Sequence, residues 1–396
     1  MKNRNLQILS FTLVVVMLGF GIIIPILPFY VEHFGGGGMA MGLLMSAFSI
    51  AQFIFSPIWG GLSDRYGRKP ILMIGILGNA ISHIMFAVST QLWMLVAARF
   101  IGGILSSATL PTAMAFISDS TSEKERGGGM GIIGAAMGVG MVLGPGIGGM
   151  MGGMSLSAPF YLAAALSVVS LLLIWVFLPE SHAAENRTSH EVRIKGPQIG
   201  EMFRALTGPI GFLLILAFLH NFALTNFEGI YGFYAQKRYD YDEQTVGLIL
   251  TIIGLVSAIV QGGLTGMLSK RLGDEWIIQG SLFFSVFGFA AMIFPETLPM
   301  VISAAGFFML TNAMLRPGVS SLISKKTDIG QGAAMGLNNA FMSLGRIVGP
   351  LWAGAALDWN LNYPFITGAV IMLIGFVASL FFLPQASPPQ TNPQNQ

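Results

Sequence analysis

Residues 134–153 read GAAMGVGMVLGPGIGGMMGG: nine of the twenty are glycine, none is charged, and Met137, Val139, Met141, Val142, Leu143 and Ile147 keep the run apolar. In water so much glycine argues against a helix, at roughly 1 kcal/mol per residue relative to alanine. In a bilayer the backbone must satisfy its own hydrogen bonds, so a helix still forms and glycine lets a neighbour approach closely. Gly140, Gly144, Gly148 and Gly152 recur every fourth residue and so line one side of it. Pro145 removes a backbone donor beside that row and invites a kink. The stretch predicts a membrane helix with a smooth, bendable face.

The rest of the chain agrees. Of its 396 residues 54% are hydrophobic and 10% charged, against about 25% charged in soluble domains. Apolar runs follow at residues 6–30, 39–61, 71–89, 92–117, 159–178, 208–234, 245–268, 276–294, 299–323, 332–357 and 364–383. With the glycine helix these predict twelve spans across a core about 30 Å thick. The first run is longer than a signal-peptide core and no small-x-small cleavage site follows it, so it reads as a retained helix. The expected organisation is an N-terminal bundle (1–183), a cytoplasmic linker on the membrane surface (184–206), a C-terminal bundle (207–384) and a disordered Pro/Gln/Asn-rich tail (385–396).

The halves repeat. GGLSDRYG from Gly60 matches GMLSKRLG from Gly266 at an offset of 206 residues; Pro111 and Pro317 share that offset, and Gly144-Pro145 meets Gly349-Pro350 at 205. Parallel six-helix halves are the organisation this implies. With both termini inside, fifteen of the twenty Lys and Arg fall on cytoplasmic segments, two (Lys237, Arg238) outside, and three (Arg99, Arg316, Arg346) within spans. The positive-inside rule therefore places both ends in the cytoplasm. With no cysteine, disulfides and thiolate metal sites are excluded. A formal charge of +2 gives no reason to expect nucleic acid, and no P-loop is present. Neither a cofactor nor a metal is expected.

Three stretches and a few isolated polar residues carry functional meaning. Gly60-Gly-Leu-Ser-Asp64-Arg65-Tyr-Gly67-Arg68-Lys69-Pro70 is a tight turn, with Gly67 suited to a left-handed conformation. Arg99 sits inside the fourth span, where a charge is costly and needs a partner or a wet cavity; stiffening of the bundle through backbone carbonyls is the other reading. Gln52 and Asn338 are either cavity polars or glue between helices, and His83 and His220 either packing residues or proton relays. Glu228 is the residue on which the chemistry of the spans is expected to turn. It lies among apolar neighbours in the seventh span, and Asn221 and Thr225 share its face at i−7 and i−3. A carboxyl in such surroundings holds a proton more readily than one in water. Arg316 is its candidate counter-charge, and Phe218, Phe222, Phe227, Tyr231 and Tyr234 supply flat apolar surface suited to amphipathic, including cationic, aromatic compounds.

Gly140-Met-Val-Leu-Gly144-Pro145-Gly146-Ile-Gly148-Gly149 resembles the antiporter motif gxxxGPxxGG of drug/proton exchangers of the major facilitator superfamily, and the Gly60–Lys69 turn resembles that superfamily's GxLaDrxGrk signature. Leu95-Val-Ala-Ala-Arg99-Phe-Ile-Gly102-Gly103 resembles its lxxxRxxqG motif, with Gly102 where glutamine is usual. Phe227-Glu228-Gly-Ile-Tyr231, Arg316-Pro317 and Gly336-Leu-Asn338-Asn339 look like the quinolone and multidrug efflux pumps of Gram-positive bacteria, although Ala313 stands where those pumps tend to carry a second acid. The resemblance implies an all-α, twelve-helix monomer in the bacterial cell membrane, no enzyme, that exports amphipathic drugs against protons by alternating access. In it Glu228, Arg99 and Arg316 would couple protons. Gln52, Asn221, Phe222, Thr225, Glu228, Tyr231 and Asn338 would meet the substrate. Asp64 and its neighbours would latch the halves, more weakly in the second copy, where Lys270 replaces the aspartate. An exporter of one metabolite, such as a sugar or amino acid, is the alternative on the same fold. With that second acid missing, either Glu228 works alone or Glu32 at the end of the first span contributes; beside His33 and a run of glycines, Glu32 reads more readily as a solvated loop charge.

Overall fold

The computed structural model describes residues 3–182 and 199–383. The expected tail and most of the expected linker lie outside them. Among the described residues there are seventeen α-helices and no strand. In the first part these are α1 (Asn3–His33), α2 (Gly38–Tyr66), α3 (Arg68–Ala87), α4 (Leu92–Ser106), α5 (Thr109–Ser120), α6 (Glu123–Gly152) and α7 (Ala158–Phe177). After the short α8 (Ile199–Ala205) come α9 (Gly211–Glu228), α10 (Tyr231–Tyr239), α11 (Glu243–Ile259), α12 (Thr265–Leu272) and α13 (Asp274–Ala291). The last are α14 (Leu298–Asn312), α15 (Leu315–Lys326), α16 (Gln331–Trp359) and α17 (Tyr363–Phe382).

Among the described residues eleven segments are long and apolar enough to cross a membrane. The remaining expected span, 276–294, falls on α13, a helix that opens with Asp274 and Glu275 just ahead of that run, carries Gln279 within it and is correspondingly less apolar. Large apolar side chains such as Trp175, Phe177, Phe381 and Phe382 stand exposed, as they must where the solvent is lipid.

Proline explains why some spans are two helices. Pro111 and Pro317 would each press their ring on the carbonyl four residues earlier, at Ser107 and Ala313. The helices break there: α4 gives way to α5 across Ser107–Ala108, and α14 to α15 across Ala313–Met314. Pro25, Pro28, Pro145 and Pro350 instead sit inside unbroken helices.

By packing, the chain divides into two compact units, Met1–Gln198 with Gly229–Thr251, and Ile199–Glu228 with Ile252–Gln396. In unit 1 α1 lies along α6 and α3 along α7. In the same unit α1, α3, α5 and α7 close over a core that includes Leu9, Leu13, Leu72, Ile76, Phe116 and Ile174. In unit 2 α9 lies along α16 and α13 along α17, the same pairings one repeat later.

Candidate functional site

The glycine rows set how the paired helices meet. A Cβ built on Gly144 would stand 2.7 Å from Gly21 Cα and 2.8 Å from the Leu18 carbonyl oxygen. One on Gly148 would stand 2.7 Å from the Ile22 carbonyl, and one on Gly140 would strike the Val14 carbonyl. The expected row therefore faces α1 at backbone contact. A second row, not foreseen, points elsewhere: Gly149 meets Gly247 Cα at 2.9 Å and the Glu243 carbonyl, and Gly146 meets Thr251. In unit 2, Gly345 and Gly349 of α16 repeat the arrangement against Phe218, Asn221, Phe222 and Thr225 of α9. Gly345 meets residues 218–222 and Gly349 meets 222–225, so α9 and α16 run parallel.

Two of the expected substrate-contacting side chains lie within this packing. Asn221 donates its amide to the Ala217 carbonyl at 2.9 Å, and the Thr225 hydroxyl donates to Asn221 and Phe222 carbonyls at 2.9 Å. Both are buried against α16. Phe227 packs on Phe308, ring centroids 4.6 Å apart, and Tyr231 is fully buried on α10. Phe222 and Phe218 are half-buried, with centroids 6.1 Å apart.

Glu228 is the last residue of α9, half-buried, where the helix yields at Gly229. Of the eighteen acidic residues in the chain, it alone falls inside an expected span. Arg316, at the start of α15, and Arg346, in mid-α16, both act on it electrostatically. Among the described residues no ion pair within 4.0 Å joins them. Arg346 donates to Ser343 Oγ at 3.0 Å, and its buried Nε has no hydrogen-bond partner. Sequence reasoning noted Arg346 only as a charge within a span; the rule applied to Arg99 could have singled it out. Asn338 is buried nearby in sequence on α16, donating to Ser320 Oγ at 3.0 Å with its carbonyl unpartnered.

In unit 1, Arg99 is 2% exposed. Its guanidinium lies 5.7 Å from the Phe20 ring centroid and 5.3 Å from that of Phe48, and it reaches Met45 Sδ at 2.9 Å. Its Nε, like both ring nitrogens of buried His83, has no hydrogen-bond partner. Gln52 is half-buried on α2, one turn beyond Phe48. His220 is buried on α9. Glu32 is bonded to the Gln236 amide and the Lys237 ammonium, a pairing that its reading as a solvated charge did not include.

The Gly60–Lys69 turn forms a charge hub. Gly67 sits at φ 101°, ending α2 and opening α3. Arg68, buried, donates to Asp119 at 2.9 Å, to Ser63 at 2.7 Å and to Asp64 at 2.5 Å. Glu180 accepts from the backbone N–H groups of Arg68 and Lys69 at the N-terminus of α3, where the helix dipole favours an anion. Gly60 itself has open space around it, and Arg65 lies over the Tyr66 ring at 5.3 Å.

The second copy is not a depleted version. Gly273 takes φ 90°, and the buried residue after it is Asp274. Asp274 accepts from Ser269, from Ser321 at 2.7 Å and from Lys325 at 2.7 Å. Arg68, Ser63 and Asp119 correspond at 206 residues to Asp274, Ser269 and Lys325. The hub recurs with its charges inverted, so the lysine at 270 marks a redistribution of charge. Burial pushes the Asp274 carboxyl up, but Lys325 and the two serine hydroxyls outweigh it and hold it below the usual aspartate range.

The family model described as Major Facilitator Superfamily matches residues 9–264 and 213–396. Multidrug resistance protein 1 of Bacillus subtilis (strain 168) is 31% identical over 386 residues, 96% of each chain. Quinolone resistance protein NorA of Staphylococcus aureus (strain COL) is 30% identical over 380 residues, again 96% of each. Among solved structures, the nucleoside transporter NupG superposes with a TM-score of 0.80 at 15% identity, covering 97% of this chain and 100% of that one; it speaks for the fold alone.

Proposed function

Since the chain belongs to the Major Facilitator Superfamily, we propose that it is an efflux transporter, not an enzyme, exchanging small amphipathic aromatic compounds for protons by alternating access. The named activities of its relatives support the substrate class. The observation that carries the mechanism is Glu228, a lone mid-span carboxylate under the influence of two arginines. A proton on Glu228 and a cationic group of the substrate exclude one another there, which is the condition for antiport. Arg99 and Arg316 assist the coupling. The glycine-paved α6 permits the rocking of alternating access, and the Asp64 hub steadies the cytoplasmic side. The chain works as a monomer in the bacterial cell membrane, with both termini in the cytoplasm, as the distribution of Lys and Arg suggests.

The test is transport into proteoliposomes holding purified protein, with an imposed pH gradient and a fluorescent amphipathic amine. Accumulation against the amine's own gradient is expected for wild type and not for Glu228→Gln. Uphill accumulation retained by the variant would remove Glu228 from the mechanism. No transport of several unrelated amphiphiles by wild type would sink the efflux reading.

A further inference from the structure

The two halves differ by one residue inside a span. Gly42-Leu43-Leu44 of α2 matches Gly247-Leu248-Ile249 of α11 at an offset of 205 residues, whereas the hub serines Ser63 and Ser269 stand 206 apart. Between the same two landmarks the eighth span therefore carries one residue more than the second. In a regular α-helix an extra residue turns everything beyond it by about 100°. Ser269 nevertheless reaches the Asp274 carboxylate, as Ser63 meets Arg68 in the first half.

The surplus is taken up locally. Val260–Leu264, between α11 and α12, is wound as a π-helix, and the Thr265 N–H reaches back five residues to the Val260 carbonyl. The Thr265 hydroxyl donates to the same carbonyl at 2.8 Å, and the Gln261 amide donates to Ser257 Oγ at 2.7 Å. Gln261, Gly262 and Gly263 are exposed, and a Cβ on either glycine would meet nothing within 4 Å. Such turns are rare and occur mostly as single bulges inside α-helices.

The second span is interrupted at the same level by other means. Pro57 lies inside α2 six residues before Ser63, and Gly263 lies six residues before Ser269. Pro57 has no N–H for the Phe53 carbonyl, and its ring crowds that oxygen. One helix loses a ladder bond and the other gains a residue of backbone, each roughly 9 Å along the axis from its hub serine. Proline and glycine are the poorest helix formers, so neither interruption helps its span to form. Two unlike defects at one level of the repeat point to a shared mechanical need.

We propose that these interruptions are joints. The π-turn Val260–Leu264 in the eighth span and Pro57 in the second let the hub end of each span (α12, and α2 from Ile58 onward) swing with its charge hub while the rest of the span keeps its packing. At the π-turn the extra residue supplies the backbone for the swing. It also leaves both ends in register: Gly247 keeps its contact with Gly149, and Ser269 its place in the hub. The joint takes its purpose from the transporter reading, but its first tests measure stability and shape and need no transport.

Deleting Gly262 removes the surplus residue and should let Val260–Leu264 close into a regular α-helix. The variant is expected to unfold at or above the wild-type midpoint. Deleting Ser56, a like excision in α2 where no residue is spare, should turn Ser63 and Asp64 off their hub and lower the midpoint. A Gly262 deletion as damaging as the Ser56 deletion, or one that fails to fold, overturns the register assignment. Motion is read separately. The chain has no cysteine, so spin labels go on Leu255→Cys and Leu272→Cys, exposed positions on either side of the π-turn and roughly 25 Å apart along the axis. Wild type is expected to give two distances or one broad distribution, and the Gly262 deletion a single narrow one. Equal distributions overturn the joint. Pro57→Ala, with labels at Leu43→Cys and Tyr66→Cys, tests the counterpart in the same way, and the same narrowing is expected. In proteoliposomes the Gly262 deletion should slow amine transport at least about tenfold while affinity for the amine stays within about twofold. Unchanged transport overturns the joint's part in the cycle. A joint that moves in a protein transporting no amphiphile would count against the efflux reading and leave the joint standing.

Discussion

Glycines that look alike in the sequence differ sharply in what they meet. A Cβ at Gly349 would run into the Thr225 hydroxyl and stand 2.7 Å from the Phe222 carbonyl, whereas one at Gly336, on the same helix, has nothing within 4 Å. Gly336→Ala should be neutral or stabilising by up to about 1 kcal/mol, since alanine is the better helix former. Gly349→Ala should cost about 1–3 kcal/mol through overpacking. Trimming Thr225 to alanine should restore only part of that, because the backbone carbonyl cannot retreat. Thermal unfolding in one detergent checks all three variants; a Gly349→Ala protein as stable as wild type would mean that α9 and α16 can part without cost. Spacing made Gly349 legible as a motif member, and it made Glu228 legible as the acid of the spans. It could not show that Asn221 and Thr225, on the same face as Glu228, lie buried against α16 and bonded to their own helix. That depends on where the neighbouring glycines fall, and one helix's periodicity carries no information about its partner.

At the level of elements, the chain keeps a hub's geometry while reversing its charge. Reading the second copy of the turn against the first predicts loss, because Lys270 replaces the aspartate. The compensation lies at Asp274 and Lys325, four and fifty-five residues further on, and only the fold brings them together. Removing Asp274 (to Ala) strips three donors of their acceptor and should cost about 1–3 kcal/mol. Lys325→Asp alone should cost at least as much, while Asp274→Arg with Lys325→Asp rebuilds the arrangement of unit 1 and should recover most of the loss. A double-mutant cycle without coupling of at least about 1 kcal/mol would refute the pairing. The pH dependence has a definite sign. Because the Asp274 carboxyl is held below the usual range in the folded protein, its contribution is fully present above the unfolded value of about 3.9. It is lost as pH falls through the lower folded value. Unfolding midpoints of wild type and Asp274→Asn should therefore converge in acid and separate above about pH 4.

For the molecule as a whole, the question is what α6 does with two smooth sides. Gly140, Gly144 and Gly148 lay it on α1, and Gly146 and Gly149 lay it on the first half of α11, where a Cβ on Gly247 would stand 2.6 Å from the Pro145 carbonyl. The sequence revealed the first row through its period of four. The second was hidden because its partners, Gly247 and Thr251, lie about a hundred residues away. Backbone-to-backbone contact of this kind leaves no room for a chain of water, so it seals as well as joins. Gly149→Val should separate α6 from α11 and leave the α1 face untouched. If the seal matters, the variant will keep binding its ligand and will dissipate an imposed pH gradient in substrate-free proteoliposomes several-fold faster than wild type. Gly131→Val supplies the control, since Gly131 sits on the same helix with nothing within 4 Å, and it should leak no faster than wild type. Equal leak rates for wild type and Gly149→Val would assign the second glycine row to packing alone and return the coupling entirely to Glu228 and its arginines.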